Sequence, residues 1–265
     1  MILDPFPDVI RIEPAGICNL HCRHCPVGRE GGKRGLLPFD TFKTIYNSLP
    51  PTPRVLVLYH GGEPLLNDDL LDMAFYAKDK GVCKIVLNTN GSKLIPGMDY
   101  SAIDEMRISL DGNSAAENDR IRVGSNFIRI GYQVRALSRY ENRPKQITIY
   151  NINTQGKVAE YLLDFFKGYD VVFRSDKMRE WARVDNEPKI TNGITYCPSL
   201  FETFTILSDG HVVMCCEDLM GDELQGSVIT ESPLDIWNNM QPIRDAFRDG
   251  YYPELCKRCY RVKGI

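Results

Sequence analysis

The chain reads as an α/β protein: a curved, partial (β/α)6 barrel of parallel strands, followed by a small C-terminal hairpin-plus-helix domain. Three observations predict this. Strand-like and helix-like runs alternate through the first two thirds of the chain, and successive right-handed β-α-β units of that kind build a parallel sheet. Short apolar strands such as VLVL and IVLN carry no polar face, as strands covered on both sides do. From Tyr196 onward the alternation stops and cysteines, a tight turn and two short helical runs take over.

In order, strands are expected over residues 9–14, 54–59, 84–89, 106–110, 146–152 and 171–174, and helices over 39–49, 68–80, 127–140 and 157–166. Near the C-terminus, 204–207 and 212–214 flank Ser208-Asp209-Gly210, a hairpin with an Asp-Gly turn. Residues 233–240 and 242–249 read as helices, the second delivering the closing cysteine pair. The expected division is a barrel over 1–195 and a smaller unit over 196–265, with functional loops at the carboxyl ends of the barrel strands.

Composition narrows the function. The chain has 265 residues, 43% hydrophobic and 25% charged, enough for a sizeable core. No apolar run approaches the roughly 20 residues needed to cross a bilayer and no leader opens the chain, so a cytoplasmic, reducing location is expected, with no membrane partner. The net charge of -3 without a basic stripe gives no electrostatic support for nucleic acid.

The loop after the first strand carries Cys18, Cys22 and Cys25 in C-x3-C-x2-C spacing. Three thiolates leave one iron of a [4Fe-4S] cubane open to a small molecule. His21 and His24 lie in the same loop, so zinc is an alternative, whereas nine cysteines, an odd number, argue against a disulfide framework. Later strand ends are polar in turn: His60-Gly61-Gly62-Glu63-Pro64, where glycines would let a ligand approach the backbone and Glu63 could pair an amine, then Asn88 to Gly91, then Ser109 to Gly112. The three histidines are read as non-ligands, and Cys83 as a buried, inert thiol.

Together the cysteine triplet and Gly61-Gly62-Glu63 resemble the radical S-adenosylmethionine (SAM) enzymes, with His24 standing where that family usually has a carbocyclic aromatic. The resemblance implies that Cys18, Cys22 and Cys25 hold a [4Fe-4S] cluster whose open iron chelates SAM. It further implies that Gly61, Gly62 and Glu63 hold the methionine amine, that Asn90, Ser109 and Asp111 line the SAM pocket, and that Arg122 meets the SAM carboxylate. SAM would be cleaved to a 5′-deoxyadenosyl radical that abstracts a substrate hydrogen atom.

Four further thiols, Cys197, Cys215, Cys256 and Cys259, can complete one metal centre, zinc or an iron-sulfur cluster alike. The C-x12-G-x4-C start at Cys197 resembles the SPASM extension of radical SAM enzymes, in its shortened twitch form with one auxiliary [4Fe-4S] cluster. The 17-residue gap between Cys197 and Cys215, Cys215-Cys216-Glu217-Asp218 and Asp235-Ile236-Trp237 are similar to the 2-deoxy-scyllo-inosamine dehydrogenase branch of the family. That branch implies oxidation of an alcohol-bearing carbon of a sugar or aminocyclitol, with an external one-electron donor such as a flavodoxin or ferredoxin. Cys216 leaves epimerisation open as a hydrogen-atom donor; it could also be a cluster ligand in place of Cys215 or a packed thiol. Glu217 and Asp218 are candidate bases and Arg179 and Arg183 candidate substrate anchors. A peptide maturase is a further alternative, disfavoured because the barrel begins by residue 9 and leaves no room for a leader-binding module.

Overall fold

The computed structural model describes residues 3–178, 181 and 193–259. Its N-terminal part runs β1 (Val9–Ile12), β2 (His21–Cys22), α1 (Pro26–Glu30), α2 (Phe39–Ser48), β3 (Val55–Val57), α3 (Leu70–Asp79), β4 (Lys84–Thr89), β5 (Glu105–Ser109), α4 (Ala115–Ile121), β6 (Arg122–Val123), α5 (Phe127–Leu137), β7 (Gln146–Asn153), α6 (Glu160–Phe165) and β8 (Val172–Lys177). The C-terminal part adds α7 (Pro198–Phe201), β9 (Thr203–Ile206), β10 (His211–Val213), β11 (Leu224–Ser227), α8 (Pro233–Asn239), α9 (Gln241–Arg248) and α10 (Glu254–Arg258).

The six barrel strands expected from the alternation are β1, β3, β4, β5, β7 and β8, adjacent in that order and parallel throughout. Helices cover the outer face through apolar residues at i, i+3 and i+4 spacing: Phe42, Ile45 and Tyr46 of α2, Met73, Ala74 and Ala77 of α3, Ile130, Val134 and Leu137 of α5. The other face is half-open and polar, carrying Arg107 and Ser109 of β5 and Tyr150 of β7.

The hairpin forms as expected, but its first strand does more than pair with its second. β9 lies parallel beside β1, from Val9 against Thr203 to Ile12 against Ile206, so the C-terminal hairpin extends the barrel sheet. A third strand, β11, pairs with β10. The closing cysteines are not delivered by α9: Gly250, at φ 84°, and Pro253 end it, and a separate short helix, α10, carries Cys256 with Cys259 as its C-cap. The N-terminus is tied to the same region, because Arg244 Nε and Arg248 Nη2 donate to Asp4 and Trp237 Nε1 donates to its carbonyl. Cys83 is exposed in the turn before β4, not buried, since the chain turns through solvent between α3 and the sheet. Among the described residues, no helix is long and apolar enough to cross a membrane.

Candidate active site

The cysteine loop leaves the end of β1 and is held on three sides. Cys22 lies on β2, which pairs antiparallel with β6 and sets Cys22 opposite Arg122. Cys25 caps the start of α1, where Pro26 supplies the fixed φ of a first helical turn. Gly62 closes the third side: a Cβ there would lie 2.1 Å from the carbonyl oxygen of Ala15 and 2.4 Å from that of Ile17. A Cβ on Gly61 would meet the Leu219 carbonyl at 2.8 Å. These glycines therefore allow backbone to pack on backbone: the side on which a Cβ would stand is filled by protein.

Glu63 is similarly committed. Its Oε1 accepts from Thr89 Oγ1 and Leu65 N, and its Oε2 from Asn90 N at 2.7 Å. Burial raises this carboxyl despite those donors. Asn90 in turn places Nδ2 3.8 Å from Cys18 Sγ, which also accepts from Leu20 N at 3.5 Å. Arg122 Nη1 donates to Asp111 Oδ2 at 2.7 Å, and Arg122 Nε is buried with no protein partner. Burial alone would lower the guanidinium, but Asp111 more than compensates and holds it charged. Ser109 accepts a long contact from Asn88.

A chamber of about 320 Å³ at the carboxyl ends of the barrel strands gathers Cys18, Cys22 and Cys25 with Gly61, Gly62, Glu63, Asn90, Ser109 and Arg122. Asp111 lies behind it, fully buried, and meets two of its lining residues, Arg122 at 2.7 Å and His24 at 3.9 Å. His60, Tyr59, Tyr150, Asp176 and Trp181 also line the chamber; none was singled out as a pocket residue in the sequence, though His60 and Tyr59 directly precede the two glycines. His60 is neutral: burial pushes its pKa down to about 4. Its Nε2 donates to the Asp218 carbonyl at 2.9 Å, which leaves Nδ1 a bare acceptor. Burial raises all three loop thiols, Cys18 to about 11.

The second cysteine set forms its own chamber, lined by Cys197, Cys215, Cys256 and Cys259 with Glu217 and Ser199. Burial and the neighbouring thiol Cys197 push Cys256 up to about 12, and Cys215 is raised by burial and by Cys216. Four thiols gathered in one apolar space, two of them made hard to ionise by burial, fit a bound metal cluster, whose positive charge would deprotonate them. A single zinc would need its thiolates about 2.3 Å from one point, and among the described residues no three Cys, His, Asp or Glu side chains converge that way. The donor sets thus fit polynuclear iron-sulfur centres better than zinc.

The remaining candidates separate. Cys216 is buried with its Sγ 3.0 Å from Ser199 Oγ and does not line the first chamber. Glu217 faces the second chamber. Asp218 folds the loop after it, its carboxylate accepting from the backbone amides of Gly221, Asp222 and Glu223. Arg179 and Arg183 lie outside the described residues.

The model of the Radical SAM superfamily matches residues 12–152, and that of the SPASM iron-sulfur cluster-binding domain matches residues 197–260. An AdoMet-dependent heme synthase of Nitratidesulfovibrio vulgaris is 29% identical over 44% of this chain and 33% of its own. The mycofactocin maturase MftC of Mycobacterium tuberculosis is 34% identical over 42% of this chain and 29% of its own. The matched stretch thus spans about a third of the curated relatives' length. In structure, the chain is similar to BtrN in complex with AdoMet and 2-DOIA, with TM-score 0.68, 17% identity and coverage of 98% of this chain and 95% of that one. SuiB of Streptococcus suis bound to precursor peptide SuiA gives TM-score 0.66 at 16% identity, covering 97% of this chain and 70% of that one. With more than half of its length matched by the superfamily's model, this chain belongs to the radical SAM superfamily.

Proposed function

We propose that this enzyme oxidises an alcohol-bearing carbon of a small polar substrate to the ketone. The superfamily brings SAM and a [4Fe-4S] cluster, and the SPASM-type match brings auxiliary iron-sulfur binding. When bound, SAM and its cluster supply hydrogen-atom abstraction from an unactivated C-H bond. Cys18, Cys22 and Cys25 would hold that cluster, and Cys197, Cys215, Cys256 and Cys259 the auxiliary one.

In this reading Arg122, charged and with Nε unused, receives the SAM carboxylate, while Asn90 and Ser109 face the nucleoside. Glu63 orders the strand ends around SAM through Thr89 and Asn90 and keeps lone pairs for the amine. After hydrogen-atom abstraction the substrate radical must still lose one electron and its O-H proton: the auxiliary cluster held by Cys197, Cys215, Cys256 and Cys259 would take the electron, and the proton needs an acceptor within the SAM chamber. Asp176, at the end of β8, is the carboxylate we assign to it, because Glu217 faces the auxiliary chamber and the Asp218 carboxylate is occupied by three amides.

One observation carries oxidation ahead of inversion. Among the described residues the only thiols lining the SAM chamber are the three assigned to the cluster, and Cys216 is engaged by Ser199 instead. No thiol outside the cluster set is therefore placed in this chamber to return a hydrogen atom to the substrate radical. The test is a reaction in deuterated water with a panel of polyols, scored by 5′-deoxyadenosine and product mass. A product two mass units lighter without solvent deuterium supports the reading; an isomer of unchanged chemistry carrying one deuterium overturns it in favour of epimerisation. The identity to a maturase keeps peptide modification as a second reading, which peptide-dependent 5′-deoxyadenosine formation would reveal.

A further inference from the structure

Below the SAM chamber the open face of the barrel contains a second cavity of about 570 Å³, lined by Lys84, Glu105, Arg107, Tyr150, Arg174 and Ser175. Arg107 and Tyr150 line both spaces, so the two share a wall. Where an ordinary closed barrel fills its lumen with packed aliphatic layers, this one holds three cations and one carboxylate. Glu105 is matched by both Lys84, at 2.9 Å, and Arg107, whose Nε and Nη2 donate to it at 2.8 and 3.2 Å.

The cations outnumber what Glu105 can neutralise. Arg107 spends Nε and Nη2 on that carboxylate and leaves Nη1 without a protein partner among the described residues. Arg174, exposed on the edge strand β8, makes no ion pair or side-chain hydrogen bond among them. Three positive charges against one negative leave an excess of two, in a chain whose net charge is -3. A guanidinium fork is shaped for two-point contact with a carboxylate or phosphate. An amine brought to the same place would meet like charge and be repelled.

We propose that this cavity binds an acidic group of the substrate, so that the enzyme acts on a phosphorylated or carboxylate-bearing polyol rather than on an aminocyclitol. The acid would sit between Arg107 and Arg174, with Tyr150 at the boundary, and the reacting carbon would extend into the SAM chamber. This rests on the reading of that chamber given above.

The test is calorimetric titration of the reconstituted, SAM-loaded enzyme with glucose 6-phosphate, glucuronate, glucose and glucosamine. One or both acids are expected to bind at least about tenfold more tightly than glucose and glucosamine, with affinity falling as salt rises. The acid that binds more tightly tells phosphate from carboxylate. Arg174→Glu, at an exposed position on the edge strand β8, is expected to weaken acid binding by about tenfold or more. Binding of glucose or glucosamine as tight as that of the acids, no binding of either acid, or an Arg174→Glu variant that binds the acids unchanged would each overturn the proposal. Acid binding that depends on Arg174 but yields no ketone leaves the anion site standing and removes the oxidation reading. Ketone formed from a neutral polyol, indifferent to Arg174, does the reverse.

Discussion

Glu13 and Arg34 form a two-point ion pair at the end of β1, with Arg34 Nε 2.9 Å from Oε2 and Nη2 3.0 Å from Oε1. The same carboxylate accepts from Gly61 N and Ser208 N, and the same guanidinium donates to the carbonyls of Leu219 and Met220. One pair therefore fixes the glycine segment of the SAM chamber to the hairpin turn and to the loop that follows the auxiliary cysteines. Burial would raise the Glu13 carboxyl, but Arg34 holds it below its ordinary value.

Glu13→Gln is expected to destabilise the protein by about 3–5 kcal/mol, because it leaves a largely buried guanidinium without its counter-charge. Urea unfolding of the variant measures this, and Glu13→Gln combined with Arg34→Met should recover part of the loss. A single variant as stable as the parent contradicts the assignment of this pair as the joint.

Gly62→Ala should empty the first cluster site. The added methyl meets the Ala15 carbonyl at 2.1 Å, and relief requires the cysteine loop to move. Gly97→Ala, with nothing within 4 Å of the new Cβ, is the control and should keep its full iron content. Iron assay after reconstitution distinguishes the two.

Replacing Cys18, Cys22 and Cys25 together by alanine should reduce the iron from about eight atoms per chain to about four, on the basis of two [4Fe-4S] clusters. SAM cleavage should disappear while auxiliary-cluster absorbance stays. Full iron content in this variant, or zinc in the remaining site, would refute the two-cluster assignment.

Acid should weaken the fold through His60. Its pKa is about 4 in the folded chain, down from 6.5, so between those values the unfolded chain binds a proton that the native one excludes. Stability is complete above pH 6.5 and falls as pH drops toward 4, by up to about 1.4 kcal/mol per pH unit. His60→Asn should show a shallower dependence over this window in urea titrations at stepped pH. An unchanged slope would mean that the site admits water.

Much of this was legible in the sequence, and the parts that were not share a cause. Barrel strands with β-branched, apolar residues and helices with a repeating apolar stripe announce themselves locally, as 84–89 and 127–137 do. The cysteine spacings did the same for the two centres. The β2–β6 ribbon has two residues on each side, too few for any periodicity, yet it sets Cys22 against Arg122. Glu13 looks like a strand-end carboxylate until Arg34, Gly61 and Ser208 meet it from three distant stretches. Gly61 and Gly62 line the chamber, but that their missing side chains also let the Ala15, Ile17 and Leu219 carbonyls pack close is not legible in the sequence, which shows that a side chain is missing but not which neighbour occupies the gap. Asp218 resembled a base because its three amide donors lie only three to five residues ahead, in a loop with no periodic signal.

The parallel pairing of β1 with β9 also bears on how the chain is made. Val9 finds its partner Thr203 only after most of the polypeptide has left the ribosome, and contacts of such sequence separation form slowly. Until then one flank of β1 is an unpaired edge, directly beneath the loop that carries Cys18. Nascent chains therefore hold the complete first cysteine triplet before the strand edge that leads into it has found its partner. If the open edge eases loading, a mature apo-protein should accept iron more slowly than a chain still being synthesised, as iron uptake by the two would measure.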